Sequence, residues 1–285
     1  MIKKLIFLSC FLTIGLIGFA QNQDSLLILQ TKWQKTRIAR QVLLFQHHFN
    51  GKNLFGANEN ISFIEVKNTG RKAIFALGAE EKELITTSNF AIRDTAVAAI
   101  NGNFFDVKNG GSVDFVKLNG KIVNENRLEK NGTRARHQQA AVVIDHGKLN
   151  IQKWDGTPYW EHNLTEKNIL LNGPLLFLNE VKEDLDSTAF NRLRHPRTCL
   201  GIKPNGRIIL LTVDGRNENS EGMSLFELTK LMRWLGCTSA VNFDGGGSST
   251  LWVKDKGIIN YPSDNKKWDH DGERKVANVI LVKQK

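Results

Sequence analysis

A strand, a capped helix and a second strand are indicated between residues 207 and 243, where the sequence reads RIILLTVDGRNENSEGMSLFELTKLMRWLGCTSAVNF. The nearly continuous apolar run Arg207–Val213 is typical of a buried strand. Ser224 and Glu227 form a capping box at the start of an amphipathic helix, and Gly236 ends that helix. Because a strand, a helix and a strand in this order form a right-handed crossover, we expect the two strands to run parallel.

Both strands of this crossover are followed by an acidic residue. Asp214 comes directly after Arg207–Val213, and Asp244 comes directly after Ser239–Phe243. Parallel strands place their carboxyl ends at one edge of a sheet, where open sheets with crossovers tend to bind ligands. The order of the elements therefore predicts that the two carboxylates lie at the same edge.

Short strands joined by turn residues make up most of the remaining chain. Asn119-Gly120 suits a two-residue hairpin turn with positive φ. It joins Phe115–Leu118 to Lys121–Asn124, and further hairpins are predicted for Ile61–Val66 with Lys72–Ala76, Ala140–Asp145 with Lys148–Gln152, and Thr198–Lys203 with Arg207–Val213. The predicted fold class is α+β, a single domain over residues 38–285 with a large mixed, mostly antiparallel sheet and one βαβ crossover that carries the site.

The first twenty residues have the pattern of a secretory signal peptide. Lys3 and Lys4 precede the apolar run Leu5–Phe19, and a small residue follows it. The run is shorter than the roughly 20 residues that a membrane span needs. We expect residues 1–20 to be removed, residues 21–37 to form an N-terminal extension, and the mature protein to be secreted or periplasmic without a membrane span.

The composition excludes several classes of protein. The 285 residues are 41% hydrophobic and 24% charged, which argues against a disordered chain or a coiled coil. The three cysteines are too few for a disulfide scaffold, and Cys199 and Cys237 either pair or remain free thiols. The net charge of +10 favours anionic ligands, but basic and acidic residues alternate, so no nucleic-acid partner is predicted. The seven histidines show no metal-ligand spacing, so no cofactor is predicted and a divalent-metal requirement stays open.

Three glycines and three hydroxyl residues follow Asp244. Gly245, Gly246 and Gly247 let backbone N–H groups approach a ligand closely, and Ser248 begins the hydroxyl run. The segment suits an anion or a sugar phosphate, although glycine triplets also form ordinary hairpin loops. It lacks the Gly-Lys-Ser/Thr of a P-loop and the spaced glycines of a nucleophile elbow.

Two further segments carry candidate ligand groups. Arg197 offers a planar guanidinium that matches phosphate oxygens, with His195 two residues before it, although a solvated surface turn would have the same pattern. Asn101 and Asn103 follow a predicted strand, and their amides are suited to sugar hydroxyls.

The motifs together resemble the phosphodiester glycosidase family. In chain order they are Asn101-Gly102-Asn103-Phe104-Phe105, Asn172-Gly173-Pro174-Leu175-Leu176, His195-Pro196-Arg197-Thr198, Asp214-Gly215-Arg216, Gly222-Met223-Ser224-Leu225, Asn242-Phe243-Asp244 with the residues to Thr250, and a tail of Asn260, Pro262-Ser263, Glu273-Arg274 and Val276. The resemblance runs from about Ile38 to the C-terminus, with departures at Asn172 and Cys199. It implies an exported hydrolase that cleaves the C1–O bond of a sugar-1-phosphodiester, with an N-acetylglucosamine-like sugar, and releases the sugar and a phosphomonoester.

The resemblance also implies roles for the candidate residues. Asp244 is favoured as the nucleophile or base because the donor-rich loop starts there, and Asp214 would orient the sugar or stabilise positive charge. Binding of the phosphate is assigned to Arg197, to the amides of Gly245–Gly247 and to Ser248. Binding of the sugar hydroxyls or of the acetamido group is assigned to Asn101, Asn103 and Asn242. His195 is either a proton shuttle or a packing residue.

Two other functions fit the same sequence. A non-catalytic domain that binds anionic cell-surface polysaccharide or exopolysaccharide would carry the same positive charge. A phosphodiesterase that cuts the P–O bond would use the same phosphate ligands. The identity of the released product separates these functions from the hydrolase.

Overall fold

The computed structural model describes residues 23–130 and 132–285. The predicted signal peptide, residues 1–20, lies outside this part of the chain. None of the helices within it has the length and apolar character needed to cross a bilayer.

The described chain is dominated by strands. They are β1 Gln34–Ala39, β2 Val42–Leu54, β3 Ala57–Lys67, β4 Ala73–Ala79, β5 Ile85–Thr86, β6 Ala98–Asn101, β7 Val116–Leu118, β8 Lys121–Asn124, β9 Ala140–Asp145, β10 Lys148–Lys153, β11 Asn168–Asn172, β12 Leu175–Leu178, β13 Val181–Lys182, β14 Arg197–Ile202, β15 Arg207–Val213, β16 Ser239–Asn242, β17 Leu251–Val253, β18 Gly257–Ile258, β19 Lys275–Val276 and β20 Asn278–Gln284. The helices are α1 (residues 23–30), α2 Thr87–Arg93, α3 Ala189–Arg192 and α4 Leu225–Trp234.

The strands form antiparallel sheets that pack into one domain, as the α+β prediction required. The largest sheet has the order β1-β2-β3-β15-β14-β16-β12-β13. Two five-stranded sheets have the orders β10-β9-β11-β7-β8 and β18-β17-β6-β20-β4, and β19 pairs with β5. Strand β1 crosses the boundary predicted at residue 38 and pairs with β2, so the chain joins the main sheet before that position.

The predicted crossover consists of β15, α4 and β16, with one difference in strand order. Strand β14 lies between β15 and β16 and is antiparallel to both. The two crossover strands therefore run in the same direction without being neighbours. Asp214 and Asp244 leave the sheet at one edge, and Arg197 enters β14 at that edge because it pairs with Val213.

The apolar run of β15 is buried on both of its faces. Ile208 and Leu210 pack into the core that the largest sheet shares with the five-stranded sheets. Ile209, Leu211 and Val213 alternate to the other face, into the core that contains the buried side of α4. A strand covered on both faces has no polar face to present, which explains why its sequence does not alternate.

Three of the four predicted hairpins are confirmed, and one is wrong. Strands β7 and β8, β9 and β10, and β14 and β15 pair as expected. Strands β3 and β4 belong to different sheets, because β3 pairs with β2 and β15 whereas β4 pairs with β20. In the segment between β3 and β4, the Asn68 side chain exchanges hydrogen bonds of 2.7 and 2.9 Å with the backbone of Leu149 on β10. These bonds hold the segment against a different sheet from the one that contains β3.

The cap of α4 gives a stability prediction. The Glu227 N–H donates to Ser224 Oγ at 3.2 Å, and the Ser224 N–H donates to the Glu227 carboxylate at 2.9 Å. We expect Ser224→Ala to lower the free energy of unfolding by about 1 kcal/mol, since the helix N–H loses its acceptor. Urea unfolding measures the change, and Ser224→Thr, which keeps a hydroxyl, is the matched control. Equal unfolding midpoints for Ser224→Ala and the unsubstituted protein would contradict the assignment.

Candidate active site

The Asp244 carboxyl group is half-buried at the end of the crossover. Its backbone is fixed on both sides, because the Asp244 N–H donates to Gly102 O at 3.0 Å and Asn101 Nδ2 donates to Asp244 O at 2.7 Å. The Gly245 N–H donates to its Oδ1 at 2.9 Å. Burial raises the pKa of Asp244 to about 6, while the positive charge of Arg274 acts in the opposite direction. The carboxyl group is therefore ionised at neutral pH and titrates close to it.

The glycine triplet after Asp244 lies against other parts of the chain. A Cβ on Gly245 would come within 2.6 Å of Pro196 O. A Cβ on Gly246, whose φ is +61°, would lie 3.0 Å from a guanidinium nitrogen of Arg216, and one on Gly247 would lie 2.6 Å from Arg274 Nη2. Two guanidinium groups thus flank the glycine loop, and the absence of side chains on the loop is what lets them approach.

Arg216 differs from Arg274 in its partners. Arg274 donates to Asp264 Oδ1 through Nε at 2.8 Å. Arg216 is exposed, and within the described residues its guanidinium has no ion-pair or hydrogen-bond partner. It has a φ of +62°, which is uncommon for a residue with a side chain. The geometry leaves the Arg216 guanidinium available to an anion at the glycine loop.

The turn that carries Arg216 is anchored on a buried acid. Glu59 is fully buried, and its Oε2 accepts hydrogen bonds from the Gly222 N–H at 3.2 Å and from Ser220 Oγ at 3.4 Å. Burial raises the pKa of Glu59 to about 9, so the side chain is protonated at neutral pH.

Asp214 lies at the predicted edge, but its carboxylate is enclosed. Oδ1 accepts from Asn260 Nδ2 at 2.8 Å and from the Tyr261 N–H at 2.9 Å, and Oδ2 accepts from Asn60 Nδ2 at 2.8 Å. Burial raises the pKa of Asp214 in spite of these donors. Contacts of this kind favour a positioning role for Asp214 over the catalytic role expected from the sequence.

Arg197 is also buried rather than directed at a ligand. Its Nε donates to Met223 O at 2.7 Å, and its Nη2 donates to Phe190 O at 2.6 Å and Leu193 O at 3.1 Å. Burial lowers the pKa of Arg197 to about 10. A guanidinium already bonded to three carbonyl groups favours a structural role, so Arg216 replaces Arg197 as the candidate phosphate ligand.

Asn101 connects three segments of the site. Besides its bond to Asp244, its Oδ1 accepts from Thr198 Oγ1 at 2.8 Å and from the Thr250 N–H at 3.1 Å. The side chain is fully buried. It therefore holds β6, β14 and the loop after β16 together, which differs from the expected contact with a sugar.

Asn103 and Asn242 are buried and bonded to the protein in a similar way. Asn103 Nδ2 donates to Leu171 O at 3.0 Å, and the Asn103 N–H donates to Asn278 Oδ1 at 2.8 Å. Asn242 Nδ2 donates to Gly173 O at 3.1 Å, whereas its Oδ1 has no protein partner. These contacts favour structural roles for both residues.

The three hydroxyl residues that follow the glycine loop are fully buried. Ser248 is buried beside the Asp244 carboxyl group and acts to lower its pKa. Ser249 Oγ and Thr250 Oγ1 are buried without a protein partner. All three side chains are closed to solvent, so they belong to the packing around the loop and not to a surface that a ligand contacts.

His195 is half-buried near the exposed guanidinium of Arg216. Its backbone pairs with Met223 through bonds of 3.0 and 3.3 Å. Burial lowers the pKa of His195, and the charges of Arg197 and Arg216 lower it further. The imidazole is therefore neutral at physiological pH.

A carboxylate–imidazole pair near Asp244 was missed by the sequence analysis. His137 Nδ1 lies 2.9 Å from Oδ2 of the fully buried Asp114, whose Oδ1 accepts from Gln138 Nε2 at 2.9 Å. Burial by itself lowers the pKa of His137, but the hydrogen bond and charge of Asp114, helped by the charge of Asp244, raise it overall. No local signal identifies the pair, because both residues lie in irregular segments that only the fold brings together.

Across the described ranges, no group of three or more His, Cys, Asp or Glu side chains is arranged to hold a metal ion. Cys199 and Cys237 are buried free thiols and take no part in the site.

Known proteins resemble the chain in sequence and in fold. A family model described as phosphodiester glycosidase matches residues 94–283. The N-acetylglucosamine-1-phosphodiester alpha-N-acetylglucosaminidase of Mus musculus is 25% identical over an alignment of 241 residues that covers 79% of this chain and 44% of the relative. The protein of the same name from Bos taurus is 26% identical over an alignment of 225 residues that covers 72% of this chain and 40% of the relative. The chain thus spans less than half the length of these curated relatives.

Two solved structures share the fold. The catalytic domain of zebrafish N-acetylglucosamine-1-phosphodiester alpha-N-acetylglucosaminidase, auto-inhibited by its pro-peptide, superposes with a TM-score of 0.64 at 18% identity, over 90% of this chain and 86% of that domain. A hypothetical protein from Synechocystis superposes with a TM-score of 0.66 at 15% identity, over 90% of this chain and 64% of that protein.

The contacts of Asn101 predict that replacing it lowers the stability of the protein. We expect Asn101→Ala to lower the free energy of unfolding by about 2 to 4 kcal/mol, because buried groups of Asp244, Thr198 and Thr250 lose their partner. Urea unfolding measures the change, with Asn163→Ala at an exposed position as the control. Unchanged stability together with weaker ligand binding would instead restore the role expected from the sequence.

Proposed function

The chain belongs to the phosphodiester glycosidase family, and we propose that it hydrolyses the C1–O bond of a sugar-1-phosphodiester, releasing the sugar and a phosphomonoester. The observation that carries the proposal is the Asp244 carboxylate, with a pKa of about 6, beside a glycine loop flanked by two guanidinium groups. The names of the curated relatives support an N-acetylglucosamine-like sugar. Export is part of this proposal and rests on the sequence pattern of residues 1–20.

The phosphate is bound at the glycine loop in this proposal. Arg216 supplies an exposed guanidinium that has no partner among the described residues, and its planar donors match two phosphate oxygens. The Gly247 amide and the paired Arg274 add positive potential at the same loop. The N–H groups of Gly245 and Gly246, which the sequence also assigned to the phosphate, donate instead to Asp244 Oδ1 at 2.9 Å and to Pro196 O at 2.9 Å. Because negative charge develops on the departing phosphate, donors fixed at this position stabilise the transition state more than the ground state.

Asp244 acts on the anomeric carbon, either as the nucleophile or as the base that activates water. In the net reaction the oxygen of water bonds to C1, and the C1–O bond breaks with its electron pair leaving on the phosphate oxygen. The proton that the water loses passes to the Asp244 carboxylate and from there to solvent. A phosphomonoester has a second pKa near 6, so it leaves as a stable anion and needs little protonation. The contacts of Asp214 with Asn60 and Asn260 support a role in holding the scaffold.

Replacement of Asp244 tests the chemical step. We expect Asp244→Asn to reduce release of free sugar by at least about 10³-fold, because the amide is neither a base nor a nucleophile. Asp255→Asn, at an exposed turn with a φ of +62° that asparagine tolerates, is the control. Turnover near the unsubstituted level in a folded Asp244→Asn protein would remove Asp244 from the mechanism.

The Asp244 carboxyl group predicts how the rate of hydrolysis depends on pH. The active form of Asp244 is the carboxylate, so the rate should rise with pH through about 6 and level off above it. The profile is measured as kcat/KM for release of reducing sugar. A rate that falls as pH rises from 5 to 7 would contradict the requirement for the ionised form.

Replacement of Arg216 tests the phosphate assignment. We expect Arg216→Gln to slow hydrolysis of a sugar-1-phosphodiester by about 10²-fold and to affect an aryl glycoside of the same sugar much less, because only the first substrate has a phosphate. The exposed Arg71→Gln is the matched control. Equal losses on both substrates would count against a phosphate ligand.

Product analysis distinguishes the competing functions. The proposed hydrolase releases free sugar, a phosphodiesterase that cuts the P–O bond releases sugar-1-phosphate, and a binding domain releases neither. Incubation with a panel of sugar-1-phosphodiesters, with and without a chelator, gives this result directly and also tests for a metal requirement.

A further inference from the structure

A buried acid lies against the loop that carries Arg216. This loop comprises residues 214–222 and follows β15 directly. Glu59, in β3, is fully buried, and its Oε2 contacts the Gly222 N–H and Ser220 Oγ, both of which belong to the loop. The reaction proposed above gives Glu59 no task, although burying an acid costs free energy. Its contacts point to a role in holding the loop.

The hydrogen bonds at Glu59 fit the neutral acid better than the carboxylate. Ser220 Oγ has one proton, for which Glu59 Oε2 at 3.4 Å competes with Asp214 O at 2.8 Å. A carboxylate is therefore held mainly by the Gly222 N–H, since Oε1 has no hydrogen-bond partner in the described chain. A protonated carboxyl group removes the competition because it donates to Ser220 Oγ, which accepts one other bond, from the Asn60 N–H at 2.9 Å.

The charged groups around Glu59 do not compensate an ionised carboxylate. The charge of Arg194 favours ionisation, but its guanidinium is already paired with Glu227 at 2.7 Å and with Glu221 at 3.0 Å. The charge of Glu227 opposes ionisation, and the neighbouring Asp214 is itself a buried acid. Burial raises the pKa of Glu59 to about 9. Once ionised, Glu59 is an unpaired buried charge, and opening the loop to water relieves its desolvation.

The position of Arg216 depends on the backbone of this loop. Its guanidinium is exposed and has no partner among the described residues, and its N–H donates to Glu221 O at 3.5 Å, a long contact. The end of the loop is packed closely, because a Cβ on Gly222 would come within 2.4 Å of His195 O. Since Glu59 bonds to the Gly222 N–H, it fixes this end and, through it, the place of Arg216 beside the glycine loop.

We propose that Glu59 is a positioning residue for phosphate binding: as the neutral acid it holds the 214–222 loop closed and Arg216 at the glycine loop, and its ionisation releases both. The inference rests on the proposed function for the role of Arg216 as the phosphate ligand. It goes beyond that function because it sets an upper limit to the pH range in which the phosphate is bound. Glu59 contacts no ligand itself, so it acts on the affinity for phosphate and on KM.

Binding of dimethyl phosphate to the full chain tests this role without catalysis. This diester keeps one negative charge from pH 7.5 to pH 10, so a change in its affinity reports a change in the protein. We expect its dissociation constant, measured by calorimetry, to rise about tenfold over this range, because only about a tenth of Glu59 is still protonated at pH 10. Glu59→Gln, a neutral isostere, should match the unsubstituted protein at pH 7.5 and lose less than about twofold at pH 10.

Matched variants separate this role from general effects of alkaline pH. Lysine side chains and Arg197, whose pKa is about 10, lose charge in every variant alike, so Glu83→Gln at an exposed position should keep the tenfold loss. Glu59→Ala, which cannot accept from the Gly222 N–H, should bind about tenfold more weakly already at pH 7.5. Arg216→Gln should bind weakly at both pH values, with no further loss at pH 10.

Kinetics and hydrogen exchange supply readouts that a merely structural role would not move. In the unsubstituted protein, KM for a sugar-1-phosphodiester should rise about tenfold from pH 7.5 to pH 10, whereas KM of Glu59→Gln should not. Hydrogen exchange needs no substitution, so it applies even where a variant fails to fold. After correction for the intrinsic exchange rate, residues 214–222 should lose protection over this pH range while β15 keeps its protection. Unchanged protection of both segments would contradict release of the loop.

Three binding results would overturn the positioning role. They are an equal alkaline loss in Glu59→Gln and the unsubstituted protein, equal affinity of Glu59→Ala and Glu59→Gln at pH 7.5, and a full tenfold alkaline loss in Arg216→Gln. If these results occur while sugar is still released from phosphodiesters, the proposed function stands without the role of Glu59. The expected binding results without any release of sugar count against the proposed function alone, and a chain that does not bind dimethyl phosphate at pH 7.5 contradicts both.

Discussion

The buried amide of Asn101 is the contact on which the geometry of the site depends. It bonds at once to the backbone of Asp244, to Thr198 on β14 and to the Thr250 N–H. These groups lie 97 to 149 residues from Asn101 in the chain. Thr198 and Thr250 are fully buried, so a lost bond there leaves an unsatisfied polar group. The role proposed for Asp244 requires its carboxylate to be held within a fraction of an ångström, and a buried amide bonded to three segments provides that precision without contacting the ligand.

Burial divides the charged residues of this edge into two groups. Asp214 and Arg197 are enclosed and bonded to protein donors or carbonyls, so they hold loops in place. Asp244 and Arg216 are reached by solvent, and Arg216 lacks a partner among the described residues. Charged groups that solvent reaches beside a glycine loop are also accessible to a ligand, which is why the proposed chemistry is assigned to this second group.

The sequence predicted the features that depend on neighbouring residues. The capping box of α4, the Asn119-Gly120 turn and the common edge of Asp214 and Asp244 follow from local patterns and from the order of elements. It could not predict that β14 separates the crossover strands, or that Asn68 turns the chain from one sheet to another. Both depend on contacts between residues far apart in sequence.

The roles of Asp214 and Arg197 could not be read from the sequence for the same reason. A motif gives residue types and spacing, but whether a charged side chain faces a ligand or a carbonyl is decided by the loops that pack over it. Arg197 is enclosed by Phe190 and Met223, and Asp114 meets His137 only because β7 and the segment before β9 are adjacent to β11. The glycine triplet was informative because the fold requires a position without a side chain there. Any side chain at Gly247 would displace Arg274 or Asp264. The need for glycine appears in the sequence as the residue itself. Which charged side chains pair with each other depends on contacts between distant segments, so it can be seen only in the folded protein.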